Sequence, residues 1–353
     1  MDEDEVLERL VRVYSPSGKE ATAVREFVRI ARALGYSVRT DGAGNGIARL
    51  GRGLPHVVFL GHIDTVDGRL PVRRRSGRLH GRGSVDAKGP LAAALVAGPR
   101  ADGSGTYTVV AAVGEETDSR GARHLVRRMA PDAVIGGEPS GWDGITVGYK
   151  GELQVEAAFR ARRTHYSSPV PTAADRAWEW VGSARALAAE RTADSPFRSL
   201  TCKLVEFNAA HAGDVETAKA TVDFRLPPGL STGELIELLP PTDGAGASAV
   251  RIRIEPVEVD RRNPVVASLL EGVRTAGGRP TLWKKGGTSD LNLVVPAWDV
   301  PGAAYGPGDA HLDHTDRESV ALAELRRSVD VLKVALSRLR SGALTPRRSA
   351  GGA

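Results

Sequence analysis

A chain of 353 residues with 41% hydrophobic and 26% charged residues has material for a buried core, and for about two domains at ~100–200 residues each. Its acidic, amphipathic start (MDEDEVLERL) is unlike the basic-then-apolar opening of a signal peptide, and no run of ~18 apolar residues predicts a membrane span. The single cysteine, Cys202, excludes an internal disulfide and a thiolate zinc cluster, and fits a reducing cytoplasm.

Residues 4–14 and 18–34 carry the apolar period of amphipathic helices, the second introduced by Ser15-Pro16-Ser17-Gly18. Strands are predicted near 36–40 and 46–50 across the glycine-rich turn DGAGNG, then at 56–60, 106–113 and 132–136. Helices at 88–97 and 119–129 supply the crossovers. This alternation predicts an α/β layer with a mostly parallel central sheet. After Gly151 the pattern changes. Residues 152–162 alternate like a strand and 172–191 read as a long helix. Strands near 201–207 and 216–226, a helix at 231–239 and a strand at 249–259 complete the order β-α-β-β-α-β. That order predicts a ferredoxin-like α+β domain, residues 151–260, inserted into a first domain made of 1–150 and 261–340. The return carries a helix at 263–276, a strand at 279–284, a short helix at 289–295, a strand at 301–305 and a closing helix at 318–340. Residues 341–353 read as a disordered tail.

Three of the predicted strands end in groups that carry chemistry. The apolar run 56–60 leads into Gly61-His62-Ile63-Asp64-Thr65, 109–113 into Gly114-Glu115-Glu116, and 133–135 into Gly136-Gly137-Glu138-Pro139. Functional groups gathered at the carboxyl ends of parallel strands are what a site in an open α/β sheet gives. Residues 81–89 (GRGSVDAKG) place Asp86 among small residues ahead of a helix, and 306–314 (GPGDAHLDH) close the series. His62 alone also reads as a hydrogen-bonded structural residue; acids and imidazoles recurring at strand ends favour a site. Two imidazoles and three carboxylates, His62, Asp86, Glu116, Glu138 and His314, suit two divalent metals with a bridging carboxylate. Zinc fits that mixture best, and cobalt or manganese can occupy the same groups. Glu115 is left to act as a base on water. Asp64 is placed to hold the second nitrogen of His62 as an N–H.

The net charge of +5 gathers in runs such as Arg73-Arg74-Arg75, 160–163 and Arg347-Arg348. A solvated basic face, an acidic protein partner and nucleic acid each answer such charge. Only 5% aromatic residues and no recognisable binding module argue against nucleic acid.

Taken together, GHIDT, GRGSVDAKG, GEE, GGEP and the late His-Thr-x-x-Glu from His314 to Glu318 resemble the dinuclear zinc amidohydrolase family. Aminoacylase, acetylornithine deacetylase, succinyl-diaminopimelate desuccinylase and carboxypeptidase G are members. The resemblance implies one metal on His62 and Glu138, a second on Glu116 and His314, Asp86 bridging, Asp64 orienting His62 and Glu115 as general base. His311 competes with His314 for the last ligand; His314 is preferred because Thr, an acidic residue and a helix follow it.

The inserted domain is then the family's dimerisation or lid domain. Residues 164–169 (THYSSP) match its Gly-His-x-Ser-x-Pro turn, whose histidine, here His165, reaches a partner's site and stabilises the oxyanion. Thr164 stands where the family has glycine, so a purely structural His165 stays open. Arg225, Gly287, Thr288 and Ser289 match positions that bind the substrate carboxylate in relatives. A strand ion pair is the other reading of Arg225, and Asp290 either meets a cationic side chain or caps the following helix. Within the family, GGEPSGWDGITVGYKG, GGTSDLN and AYGPGD…LDHT look nearest to hydrolases that release lysine or ornithine from a LysW-type amino-group carrier protein. Such a carrier is acidic, and the γ-carboxyl of its C-terminal glutamate holds the substrate's α-amino group as an amide. The basic balance suits that partner. The expectation is therefore a cytoplasmic, homodimeric enzyme. A small-molecule deacylase is the alternative, and a catalytically silent binding protein the non-enzyme reading.

Overall fold

A computed structural model describes residues 1–165, 167–242 and 246–344. The chain divides into two compact units: Met1–Val147, Val259–Trp283 and the chain from Ser289 onward form one, and Gly148–Glu258 with Lys284–Thr288 form the other.

The first unit opens with α1 (Glu3–Arg12) and α2 (Ala21–Ala33). Asp2 caps α1 by accepting the Glu5 N–H at 2.8 Å. Then come β1 (Ser37–Thr40), β2 (Gly46–Arg52), β3 (His56–His62), β4 (Arg73–Arg75), β5 (Arg78–His80), α3 (Lys88–Arg100), β6 (Gly105–Ala112), α4 (Arg120–Val126), β7 (Ala133–Gly137) and β8 (Gly144–Tyr149). The inserted unit holds β9 (Gly151–Arg162), α5 (Ala173–Ala189), β10 (Thr201–Ala212), β11 (Val215–Leu226), α6 (Thr232–Leu238), β12 (Gly246–Ile254) and β13 (Val257–Glu258). The chain ends through α7 (Pro264–Thr275), β14 (Thr281–Lys285), α8 (Leu291–Trp298), β15 (Gly302–Ala304), β16 (Ser319–Ala321) and α9 (Leu322–Arg338).

The large sheet runs β1-β2-β6-β3-β7-β15-β8. Only its centre is parallel: β6, β3, β7 and β15 pair in parallel, whereas β1, β2 and β8 pair antiparallel at the flanks. The central strands are buried on both faces, which is why their sequences are near-continuous apolar runs. Hairpin connection explains the antiparallel edge, since the turn between β1 and β2 is too short for a crossover. Phe27, Phe59, Leu91, Tyr107, Ile135 and Leu332 belong to one core around this sheet.

Three short strands escape the sequence reading. β5 pairs with β4 on one side and β16 on the other in a small antiparallel sheet; β4 reads as a basic run, and β16 falls in the stretch 318–340 assigned to helix. The buried strand β8 was also not expected, because glycines at 144 and 148 break its pattern. Of the residues assigned to the tail, 341–343 complete a π-type turn, Leu339–Ala343, in which Ser341 and Gly342 leave helical angles, and Leu344 is buried in the core. Residues 345–353 lie outside the described residues.

In the inserted unit the strand order is β10-β11-β9-β12, antiparallel throughout. The first and third strands lie side by side at the centre, which is the ferredoxin-like arrangement. β9 alternates buried and part-buried positions, and its inward residues Leu153, Val155, Ala157 and Phe159 share a core with Trp180 of α5 and Leu235 of α6. Capping boxes start both helices, Thr172 with Asp175 and Ser231 with Glu234. No helix among the described residues is long and apolar enough to cross a membrane.

Candidate active site

The parallel register brings the carboxyl ends of β6, β3 and β7 together, with Gly61 opposite both Ala111 and Gly137. His62 ends β3, Glu115 and Glu116 follow β6, and Glu138 follows β7. A side chain at Gly61 would meet Leu91 at 3.0 Å, so glycine lets α3 pack close beneath His62. Asp86 enters from the loop before α3. His314 enters from the loop before β16 with a left-handed φ of +58°.

His62, Asp86 and Glu138 form one group, and Asp86, Glu116 and His314 a second, each with ligand atoms within 4.8 Å of one another. Asp86 belongs to both. Its Oδ1 lies 3.0 Å from Nε2 of His62 and its Oδ2 lies 3.1 Å from Nε2 of His314. That nitrogen of His314 is also 3.1 Å from Glu116. The Nδ1 of His62 lies 3.0 Å from the carbonyl oxygen of Asp64. A carbonyl only accepts, so Nδ1 carries the proton and the Nε2 lone pair is directed to the cluster.

The Asp64 carboxylate keeps the expected ion pair with His62 and makes further contacts. It stands 3.6 Å from His62 Nδ1, beyond a hydrogen bond. Its oxygens accept Ser17 Oγ–H at 2.7 Å and the N–H groups of Glu115 and Glu116 at 3.2 Å. Asp64 thus orients His62 through its backbone and pins the Glu115–Glu116 turn through its side chain.

The donor set calls for positive charge. Burial, with Glu138, Asp290 and Asp86 nearby, holds the Glu115 carboxyl well above its ordinary range, although His62 opposes this. Asp290, buried beside it, is pushed up to about 6. The carboxylates of Asp86 and Glu116, bonded to its imidazole, push His314 up to about 10. A shared carboxylate flanked by two imidazoles, with two further acids, fits a pair of divalent cations.

Residues 58–338 match peptidase family M20/M25/M40. The chain belongs to that family. A LysW-lysine hydrolase of Deinococcus radiodurans is 38% identical over 355 residues, covering 96% of this chain and 97% of its own. A LysW-lysine/LysW-ornithine hydrolase of Saccharolobus islandicus is 27% identical over 340 residues, covering 95% of each. Two solved structures share the fold. An M20 family metallo-carboxypeptidase from Sulfolobus solfataricus has a TM-score of 0.78 at 17% identity, covering 96% of this chain and 100% of its own. A dinuclear metal binding peptidase of the M20 family from Bacillus subtilis has a TM-score of 0.66 at 12% identity, covering 95% and 96%.

Other residues of this M20 chain that the sequence singled out are placed as follows. His311 is 95% exposed and bonds Asp309 at 2.8 Å, outside both groups. In the inserted unit, Arg225 is already held by Glu152 at 2.9 Å and Asp223 at 2.8 Å, so the strand ion pair is realised. Thr288 donates to Glu152 at 3.5 Å, and Gly287 is exposed. His165 is exposed; Ser167 N–H donates to its Nδ1 at 3.3 Å, which leaves the proton of the neutral ring on Nε2. Asp290 holds the N-cap position of α8 without a side-chain cap bond, and the Ser289 Oγ beside it accepts the Leu291 N–H at 3.3 Å. Asp290 faces inward, and its Oδ1 has no hydrogen-bond partner among the described residues.

Several supporting residues carried no assigned role. Glu318 accepts the N–H groups of Val85 at 3.0 Å and Asp86 at 3.2 Å, and Arg82 Nη1 donates to it at 2.9 Å. Lys88 is fully buried and donates to Val13 O at 2.7 Å, tying the end of α1 to the Asp86 loop; burial lowers it to about 7. Both lie in motifs already recognised, GRGSVDAKG and His-Thr-x-x-Glu, whose spacing hinted at a shared task without naming it.

Proposed function

We propose that this chain is a metal-dependent amide hydrolase that releases lysine, ornithine or a related diamino acid from the C-terminal glutamate of an acidic amino-group carrier protein. The observation that carries the reading is the pair of three-residue groups sharing Asp86, with Glu115 alongside. The names of the LysW hydrolase relatives support the substrate, and the net charge of +5 supports an acidic partner.

In this reading His62 and Glu138 would hold one metal and Glu116 and His314 the other, with Asp86 common to both groups; zinc suits the nitrogen and oxygen donors. Bound there, such cations would polarise the scissile carbonyl and acidify the attacking water. Glu115 takes the proton from that water as it adds to the amide carbon, then returns it to the leaving nitrogen. Asp64 keeps Glu115 aimed by holding its backbone N–H. In the inserted unit, Arg225, Gly287 and Thr288 offer donors to a substrate carboxylate; Ser289, in the catalytic unit, is by itself a further donor hydroxyl. The enzyme works as a cytoplasmic homodimer through the inserted unit, and the Nε2–H of His165 donates to the developing oxyanion in a second copy.

The test is to incubate metal-loaded protein with an acidic carrier bearing γ-linked lysine or ornithine and weigh what is released. Free diamino acid is expected. Glu115→Gln should retain both metals while turnover drops ~100-fold or more. Faster turnover of free acetyl-lysine or acetylornithine, with no gain from the carrier, would replace this reading with a small-molecule deacylase.

A further inference from the structure

At the opposite end of β3 from His62, a cleft of about 490 Å³ opens over the β1–β2 edge of the large sheet. The seven residues of β3 separate the two places by ~20 Å at ~3.3 Å per residue. Arg39 of β1, Arg49 of β2 and Arg128 after α4 line the cleft, together with His56, Thr108 and Ser37.

The register explains why these side chains converge. Ser37 lies opposite Arg49, and Arg49 opposite Thr108, so they share one face, and Arg39 lies two residues from Ser37 on the same side. The other face is closed, since a side chain at Gly46 would meet Phe27 of α2 at 2.7 Å.

The three arginines are unusual in their surroundings. Arg9, Arg74, Arg82 and Arg120 of the same unit each sit in an ion pair. Among the described residues no carboxylate pairs with Arg39 or Arg128, and Arg49 donates only to the Thr106 hydroxyl at 3.1 Å. The nearby acid, Asp132, is engaged by the His56 N–H at 2.7 Å. His56 adds no charge near neutrality, because burial and Arg49 lower it to about 4. Like charges on one sheet face are destabilising until a counter-charge joins them. Planar guanidinium forks match carboxylate and phosphoryl oxygens two at a time. The volume falls within the ~300–1,000 Å³ of small-molecule sites.

We propose that this cleft binds a small multivalent oxyanion, one carrying linked phosphoryl groups or several carboxylates, at a site separate from the metal centre. The test is calorimetric titration of the metal-loaded protein with pyrophosphate and, separately, with citrate, at fixed ionic strength. One saturable site is expected for at least one of them, and Arg39→Gln/Arg128→Gln should weaken it at least tenfold while leaving amide hydrolysis unchanged. Both arginines are exposed and make no ion pair among the described residues, so the variant should fold as the parent does; an unshifted melting temperature checks this. Preference for pyrophosphate identifies a phosphoryl ligand, and preference for citrate a polycarboxylate. Binding that persists undiminished in the variant puts the anion at the metals or elsewhere and overturns the proposal, as does no binding beyond that of chloride at equal ionic strength.

Discussion

Replacing Glu318 by alanine probes the ion pair beneath the Asp86 loop. Glu318 and Arg82 are 1% and 7% exposed and meet at 2.9 Å. The variant leaves a buried guanidinium whose remaining contact is from Nε to Gly68 O at 3.0 Å. It also strips the Val85 and Asp86 N–H groups of their acceptor. Removing one partner of a buried pair costs ~3–5 kcal/mol, and each orphaned N–H adds ~1–3 kcal/mol unless water reaches it. A loss of about 5 kcal/mol is expected for the catalytic unit, against a typical total of ~5–15 kcal/mol. Glu318→Gln keeps an acceptor and loses the charge, so about 2–3 kcal/mol is expected there. The assay is calorimetric unfolding of metal-free protein, with metal content measured in parallel. Only the transition of the catalytic unit should move, and Glu318→Ala should bind its metals more weakly because Asp86 is no longer held. If Glu318→Ala shifts stability by less than about 1 kcal/mol and still takes up both metals, the loop is held by something else and the reasoning fails.

Two further outcomes follow from the same geometry. His314→Ala should lose one of two metals and nearly all activity, whereas His311→Ala should keep both metals and turnover within about twofold, since exposed substitutions are usually near neutral; metal analysis of the two variants reads this directly, and the reverse pattern would make His311 the ligand. His56 has a folded value of about 4 against 6.5 for the free side chain, so between those values the unfolded chain binds a proton that the folded chain refuses. Stability should therefore fall as the pH drops from 6.5 toward 4, by up to ~3 kcal/mol at ~1.4 kcal/mol per pH unit, and His56→Gln should remove that part of the slope in denaturant titrations.

Much of the site could be read before any fold was known. Buried parallel strands must be apolar along their whole length, so β3, β6 and β7 stood out as runs, and each run leads through a glycine to His62, to Glu115 and Glu116, or to Glu138. The β-α-β-β-α-β order of the insertion was legible for a similar reason, since alternation and capping boxes are local signals. Strands without such signals were lost: β4 is three exposed arginines, and β8 is interrupted by glycine.

Local pattern reaches only as far as a helix turn or a strand pleat, so Asp86 and His314 were joined by donor type and family resemblance and not by any local signal. Their contact spans 228 residues and depends on the parallel register, the left-handed turn at His314 and the hold of Glu318 on the Asp86 loop. The same distance limit hid the bond from His62 to the Asp64 carbonyl and the meeting of Arg39, Arg49 and Arg128 over one sheet face. Residue types announced which chemistry was available; the packing of strands and loops settled which groups could touch.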